Sequence, residues 1–210
     1  MMSGSIIAAL FIGCAMPDLA AAFAKLDAFN AGDPNRVTVD GQSVPKELHY
    51  ARRMTAWLDK IAPGASPALQ LAARAQHIGR WTSPRSDFPM DKAGYYTWRR
   101  ALYVFHADTA GRLLAEAAVE AGIIARVGEL LRKENIKTDA EMQTLEDAAC
   151  LVFLENFYTD FSRKHDDDKV IDILRKTWKK MSPTGHAAAL DLAKALPEDR
   201  LQLIQRALAA

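Results

Sequence analysis

Cysteine is scarce: Cys14 and Cys150 are the whole complement of a 210-residue chain. Two thiols cannot build a four-cysteine zinc site or a disulfide framework, so both read as reduced, in a cytoplasmic setting. An excess of one charge is missing too, with 27 basic residues against 26 acidic ones and a net charge of +1. No global field draws such a chain onto nucleic acid or anionic lipid, and only a local basic patch stays open. There is no apolar run of membrane-spanning length. The nearest approach, Ser5 to Met16, has no Lys or Arg before it and is cut short by Pro17-Asp18. Within it Phe11-Ile12-Gly13-Cys14 resembles a lipoprotein cleavage site without the basic start. Residues 1–16 are therefore expected to be a first helical segment or the product of a misplaced start codon, with no membrane role. Repeats and low-complexity tracts are absent. Strand-like sequence is nearly absent: Val37-Thr38-Val39 is one run, too short to found a sheet.

Helical spacing fills the rest. Half the residues are hydrophobic and a quarter charged, enough for one substantial core. Pro17-Asp18 opens a helix through Leu19, Phe23, Leu26 and Phe29, and a loop runs from Asn30 to Gln42. Pro45 starts a helix over Lys46–Ile61, stopped by Pro63-Gly64, and Ser66-Pro67 cap the next. A polar loop from Thr82 to Gly94 precedes helices over Tyr95–Ala121, Ile123–Lys133 and Asp139–Ser162. Three more follow over Val170–Lys180, Pro183–Ala195 and Pro197–Ala209. The fold expected is all-α, one helical bundle over residues 17–210.

One stretch looks central. Leu71 to Trp81 places Gln76, His77 and several cations among alanines and aliphatics. Read as one helix, it puts Arg74, His77 and Trp81 on a common face. Downstream, Glu146 and Asp147 lie in the first half of the Asp139–Ser162 helix, which is apolar nearly all round from Ala148 to Phe157. Ionised carboxylates there are costly unless a cation meets them. One of the two is expected to meet Arg74, His77 or a metal, a buried Arg–carboxylate pair being the plainer version. Arg80, Arg85, Arg99 and Arg100 flank the 82–94 loop with Tyr95, Tyr96 and Trp98 interleaved. Guanidinium forks beside aromatics suit a phosphate attached to a base or sugar, or else pair with Asp87, Asp91 and internal carboxylates. His49 shares a helix side with Arg52, Arg53 and Lys60, so a solvated face is its alternative reading. His77 could equally be a satisfied structural histidine, and His106, striped with Arg99 and Tyr103, reads as packing or hydrogen bonding. His165 with Asp166 to Asp168 reads as a solvated turn.

Two tetrapeptides resemble class I aminoacyl-tRNA synthetase boxes: His77-Ile78-Gly79-Arg80 and the Lys180-Met181-Ser182 start of a second. Those boxes require a nucleotide-binding parallel sheet, which this chain has no strands to supply, so that activity is rejected. The order His49, then Gln76-His77-Ile78-Gly79-Arg80, then Asp147 is similar to the HD superfamily of metal-dependent phosphohydrolases, which implies an HD-like helical fold. In register, however, Gln76 takes the family's histidine position and His77 its aspartate position. The resemblance thus implies at most one metal, held by His49, His77 and Asp147 with or without His106, of a type such as Mn, Fe, Ni or Zn. Nearly the whole chain resembles a further family, domain of unknown function 4202. The shared runs are Asp33-Pro34-Asn35, Glu47-Leu48-His49-Tyr50-Ala51, Arg74-Ala75-Gln76-His77-Ile78, Pro84-Arg85, Gly94-Tyr95, Trp98-Arg99, Leu145-Glu146-Asp147 and Lys180-Met181-Ser182. Some of its members are labelled glutamyl-tRNA synthetase, and the resemblance carries no established activity.

Two readings of function follow. In the first, a single-metal phosphohydrolase uses His49, His77 and Asp147 as ligands and Glu146 as general base, with Asp147 and His77 at the reacting centre. Arg74, Gln76, Arg80, Arg85, Trp98 and Arg99 would hold a phosphate-bearing or nucleotide-like substrate. In the second, the same pocket is a non-catalytic module for a nucleotide, an RNA or a protein, with a decayed metal site. The oligomeric state is left open.

Overall fold

A computed structural model describes residues 19–136 and 138–209; the expectations for residues 1–16 lie outside them. The chain is helical, as its spacing implies. Helix α1 (Leu19–Asn30) leads into a hairpin of β1 (Arg36–Val39) and β2 (Gln42–Pro45). Then come α2 (Lys46–Ile61), α3 (Pro67–Ala75), α4 (Lys92–Glu116), α5 (Ala121–Arg132) and α6 (Ala140–Val152). The C-terminal part holds α7 (Tyr158–Arg163), α8 (Asp167–Trp178), α9 (Pro183–Ala193) and α10 (Glu198–Leu208). No helix among the described residues is long and apolar enough to cross a membrane.

Side-chain caps fix five of the helix starts. Ser66 Oγ accepts from Leu69 N at 3.1 Å with Pro67 in the first turn, and Asp91 Oδ1 accepts from Gly94 N at 2.7 Å. Asp139, Asp166 and Ser182 do the same for α6, α8 and α9. Each satisfies a backbone N–H that the first helical turn leaves free. The core lies where α3 packs between α2 and α5, with α6 behind α2 and α4 along α5. Leu71, Ala72, Ala75 and Ile78 are fully buried there, against Met54, Leu58, Leu130 and Leu145. Small alanines let α3 approach its neighbours closely.

Three expectations are corrected. Val37-Thr38-Val39 does found a sheet: β1 pairs antiparallel with β2 through the two-residue turn Asp40-Gly41, whose φ values of 48° and 77° are those of a tight hairpin connection. The helix expected over 139–162 is interrupted by a wide π turn at Phe153–Phe157. Glu155 in that turn accepts from Arg53 Nε at 2.8 Å, Trp57 Nε1 at 3.0 Å and Asn156 Nδ2 at 2.7 Å. Burial pushes its carboxyl upward, and those three donors outweigh it and hold it low. Most consequential, no single helix spans Leu71–Trp81. Helix α3 stops at Ala75, a turn follows, and Gly79 at φ 65° starts a short 3₁₀ segment, Arg80–Thr82. Arg74, His77 and Trp81 therefore share no helix face.

Gly79 is required twice over. Its backbone is left-handed, and a Cβ there would lie 3.0 Å from Phe29 Cε1 and 3.2 Å from Phe105 Cε1. Gly79→Ala should cost roughly 1–3 kcal/mol in urea denaturation, combining the left-handed penalty with overpacking. Gly64→Ala, where a Cβ meets nothing within 4 Å, should stay close to wild type. Equal stability of the two variants would refute this account of the turn.

Candidate functional site

The site is assembled around the α3 reversal. On α4, Tyr95, Trp98, Arg99, Leu102, Tyr103 and His106 recur at helical spacing and turn one stripe toward it. Helix α2 brings Lys46, Glu47 and Tyr50, the turn brings Gln76, His77 and Arg80, and Lys133 follows the end of α5. The π turn sends Phe153 and Phe157 inward. Between these elements runs a cleft with two lobes. The inner lobe, about 270 Å³, has Lys46, Glu47, Arg80 and Arg99 on its walls. The outer lobe, about 430 Å³, has Arg99, Lys133, Glu146 and Lys180.

His77 is the electrostatic centre. Its Nε2 lies 2.9 Å from Arg80 Nη1 and its Nδ1 lies 3.3 Å from Glu47 Oε2. A guanidinium can only donate, so Nε2 accepts and the ring proton sits on Nδ1, facing the carboxylate. The ring stacks on Tyr50 at 3.9 Å, and the Tyr50 hydroxyl donates to Gln76 Oε1 at 3.0 Å. Burial first, then the charges of Arg80, Arg99, Lys133 and Lys46, hold the imidazole well below its ordinary value, so it is neutral. Burial pushes the Glu47 carboxyl up, against the pull of Arg80 and Lys46.

The cations are held in place by rings more than by carboxylates. Arg80 Cζ sits 4.9 Å from the centre of the Trp98 ring, whose Nε1 donates to Ser83 O at 2.9 Å. Arg99 Cζ and Lys133 Nζ each sit 5.3 Å from the centre of the Tyr103 ring, and Arg99 Nη2 donates to the Tyr103 hydroxyl at 3.3 Å. Arg80 and Arg99 are both half-buried. Among the described residues no carboxylate forms an ion pair with either. At the floor, His106 Nδ1 donates to Ile78 O at 2.8 Å, leaving Nε2 a buried acceptor without a protein partner among the described residues. Burial, then His77, lowers the His106 imidazole to about 3.

Of the residues expected at a site, the cleft gathers Gln76, His77, Arg80, Arg99 and Glu146, with Trp98 supporting Arg80. Four are elsewhere. Arg74 donates to both Asp27 oxygens, at 2.7 and 2.8 Å, and to Thr55. Arg85 spends its guanidinium on the carbonyls of Phe88, Pro89 and Asp91 within its own loop. His49 Nε2 lies 3.2 Å from Asn156 Oδ1, in a separate groove walled by the hairpin. Asp147 accepts from Ser182 N at 2.8 Å, Ser182 Oγ at 2.5 Å and Gln143 Nε2 at 3.0 Å, under the start of α9. The expected meeting of Glu146 or Asp147 with Arg74 or His77 is thus replaced: Glu146 meets Lys133.

The His49, His77 and Asp147 ligand set is not gathered. Among the described residues no group of three or more His, Cys, Asp or Glu side chains could hold an ion. The early end of α3 turns His77 to Glu47, and Asp147 faces α9. Cys150 lines the outer lobe, but burial, with Glu146 beside it, pushes its thiol up to about 12, which rules out a resting thiolate. Sequence reasoning missed Lys46, Glu47, Tyr50, Lys133 and Lys180 as site residues. The shared run Glu47-Leu48-His49-Tyr50 held a signal for two of them. Lys133 held none, because its position depends on a left-handed backbone, φ 60° and ψ 40°.

The fold and site define an all-helical protein with a cationic cleft. The model of the family described as Domain of unknown function (DUF4202) matches residues 20–204, and the chain belongs to that family. No curated protein and no solved structure matches it.

The half-buried His77 and the buried His106 make stability depend on pH. Folded His77 and His106 titrate below the unfolded value near 6.5, so the unfolded chain binds more protons and folding weakens as pH falls from 6.5 toward 3. Glu47, raised in the fold, works in the opposite sense in both wild type and variant. The drop in Tm between pH 7 and 5 should therefore be shallower in His106→Gln than in wild type. Superimposable pH profiles would contradict the assignment.

Proposed function

We propose that the cleft binds a phosphate-bearing anion, with Arg80 and Arg99 as its principal donors. The carrying observation is that two half-buried guanidiniums are held by Trp98, Tyr103 and a neutral His77 in place of carboxylates. Charges withdrawn from water are ordinarily paired; Glu47 lies near Arg80 without a direct ion pair, so two guanidiniums in one cleft leave positive charge over, which supports an anion supplied by a ligand. The guanidinium fork matches phosphate oxygens with two parallel hydrogen bonds. The aromatic walls, Tyr50, Phe153 and Phe157, favour a phosphate attached to a flat or apolar body, such as a nucleoside.

The reading is of binding in preference to turnover. The two carboxylates that a phosphohydrolase would need as base and ligand, Glu146 and Asp147, are engaged by Lys133 and Ser182.

Isothermal titration with orthophosphate and with adenosine monophosphate tests the proposal. Arg80→Gln and Arg99→Gln should each weaken binding at least about tenfold, since a charged hydrogen bond contributes roughly 1.5–3 kcal/mol and 1.4 kcal/mol is a factor of ten. Arg85→Gln, outside the cleft, should bind as wild type does. Heat-silent titrations of folded protein, or wild-type affinity in Arg99→Gln, would sink the reading.

A further inference from the structure

We infer that the outer lobe is a second phosphate subsite, so that the ligand carries two phosphoryl groups: one on Arg80 and Arg99, the other on Lys133 and Lys180. This rests on the anion-binding reading above and specifies its ligand. Continuity comes first. Tyr50, His77, Arg99 and Phe153 wall both lobes, so the two are one cleft with Arg99 at its waist. The charge is also arranged in two groups. Lys46 and Arg80 lie on one side of the waist, Lys133 and Lys180 on the other, and the carboxylates facing all five cations are Glu47 and Glu146. Arg99 and Lys133 share the Tyr103 ring, and Glu146, which pairs with Lys133 and lies near Arg99, is one carboxylate facing three cations of that lobe, Arg99, Lys133 and Lys180.

The outer lobe is built, as its two lysines illustrate. Lys133 occupies a left-handed backbone position just past α5, φ 60°, where glycine or asparagine is the usual residue. There its ammonium pairs with Glu146, and both residues line the lobe. The position closes α5, with Lys133 N donating to Leu130 O and Glu134 N to Glu129 O. Lys180 arrives by a second device. The loop before α9 is clasped by Asp147, which accepts from both Ser182 N and Ser182 Oγ, while Gln143 Nε2 donates to Lys180 O at 2.8 Å. Met181 between them is buried. The clasp is tight enough that a Cβ on Gly185 would stand 2.7 Å from Asp147 Cγ. No carboxylate among the described residues pairs with Lys180, which remains exposed at the lobe. The adjacent carboxylates thus serve the same lobe, since Glu146 holds Lys133 and Asp147 holds the loop that carries Lys180. Both are positioning residues.

The test compares orthophosphate with pyrophosphate, and adenosine mono- with diphosphate, by calorimetry on the full chain. Pyrophosphate should bind at least about tenfold tighter than orthophosphate, a difference of 1.4 kcal/mol. A matching gain from mono- to diphosphate nucleotide assigns the two groups to a nucleotide, and a gain with pyrophosphate alone assigns them to a free diphosphate. Lys180→Gln, an exposed change with little bearing on folding, should erase the advantage and leave orthophosphate affinity within about twofold; Lys180→Arg should keep it. Orthophosphate binding that depends on Arg99 but shows no diphosphate advantage overturns this inference alone. An advantage that survives Lys180→Gln also overturns it. Absence of binding by either anion removes the underlying reading as well.

Discussion

The reversal of the chain at Gly79 is the constraint on which the site depends. Helix α3 is buried on nearly every side, and past its end Gly79 sits where a Cβ would press on Phe29 and Phe105. Stopping at Ala75 frees the next five residues from helical periodicity. Gln76 and His77 can then face α2, and Arg80 can fold back to donate to His77. Asn30 accepts from the Gly79 N–H at 3.2 Å, tying the reversal to the end of α1. A helix continued through this stretch would have carried His77 away from Glu47 and Tyr50.

Around that turn the protein manages charge in two ways. Arg74, Arg53 and Arg126 are satisfied by carboxylates, through Asp27, Glu155 and the Asp139–Glu141 pair, and they hold helices together. Arg80 and Arg99 are instead laid on aromatic rings. A ring fixes a guanidinium through its quadrupole without cancelling the charge, so the field stays available to something entering from solvent. Inside the protein, burial first and that field second keep His77 neutral. The family membership brings no assigned chemistry, and the charge arrangement is what supports a ligand class.

Much of the fold was legible in the chain. Ser66-Pro67 and Asp139 marked helix starts because capping chemistry is local, depending on a side chain two or three residues from the backbone group it satisfies, and Pro45 and Pro183 marked others through proline's fixed φ. The lack of strand formers and the helical spacing were enough for an all-α architecture. The Asp40-Gly41 turn was overlooked, although its dipeptide is a strong hairpin signal in its own right. At the site, Arg80, Arg99, Gln76, His77 and Glu146 were legible as charge and polarity in apolar surroundings, which is costly enough to need a purpose.

Sequence by itself determined which helices form and which polar residues needed partners, because propensity, capping and burial cost act over a few residues. It could not say which partner each would find. Arg74 and Arg80 look alike in the chain, yet one is quenched by Asp27 and the other rests on Trp98; Asp147 and Glu146 are neighbours, yet they face Ser182 and Lys133. Those choices were made by tertiary structure. The stop at Gly79 and the left-handed Lys133 set directions in space over separations that periodicity cannot carry, and direction decides whether a charge closes a salt bridge or opens a cleft.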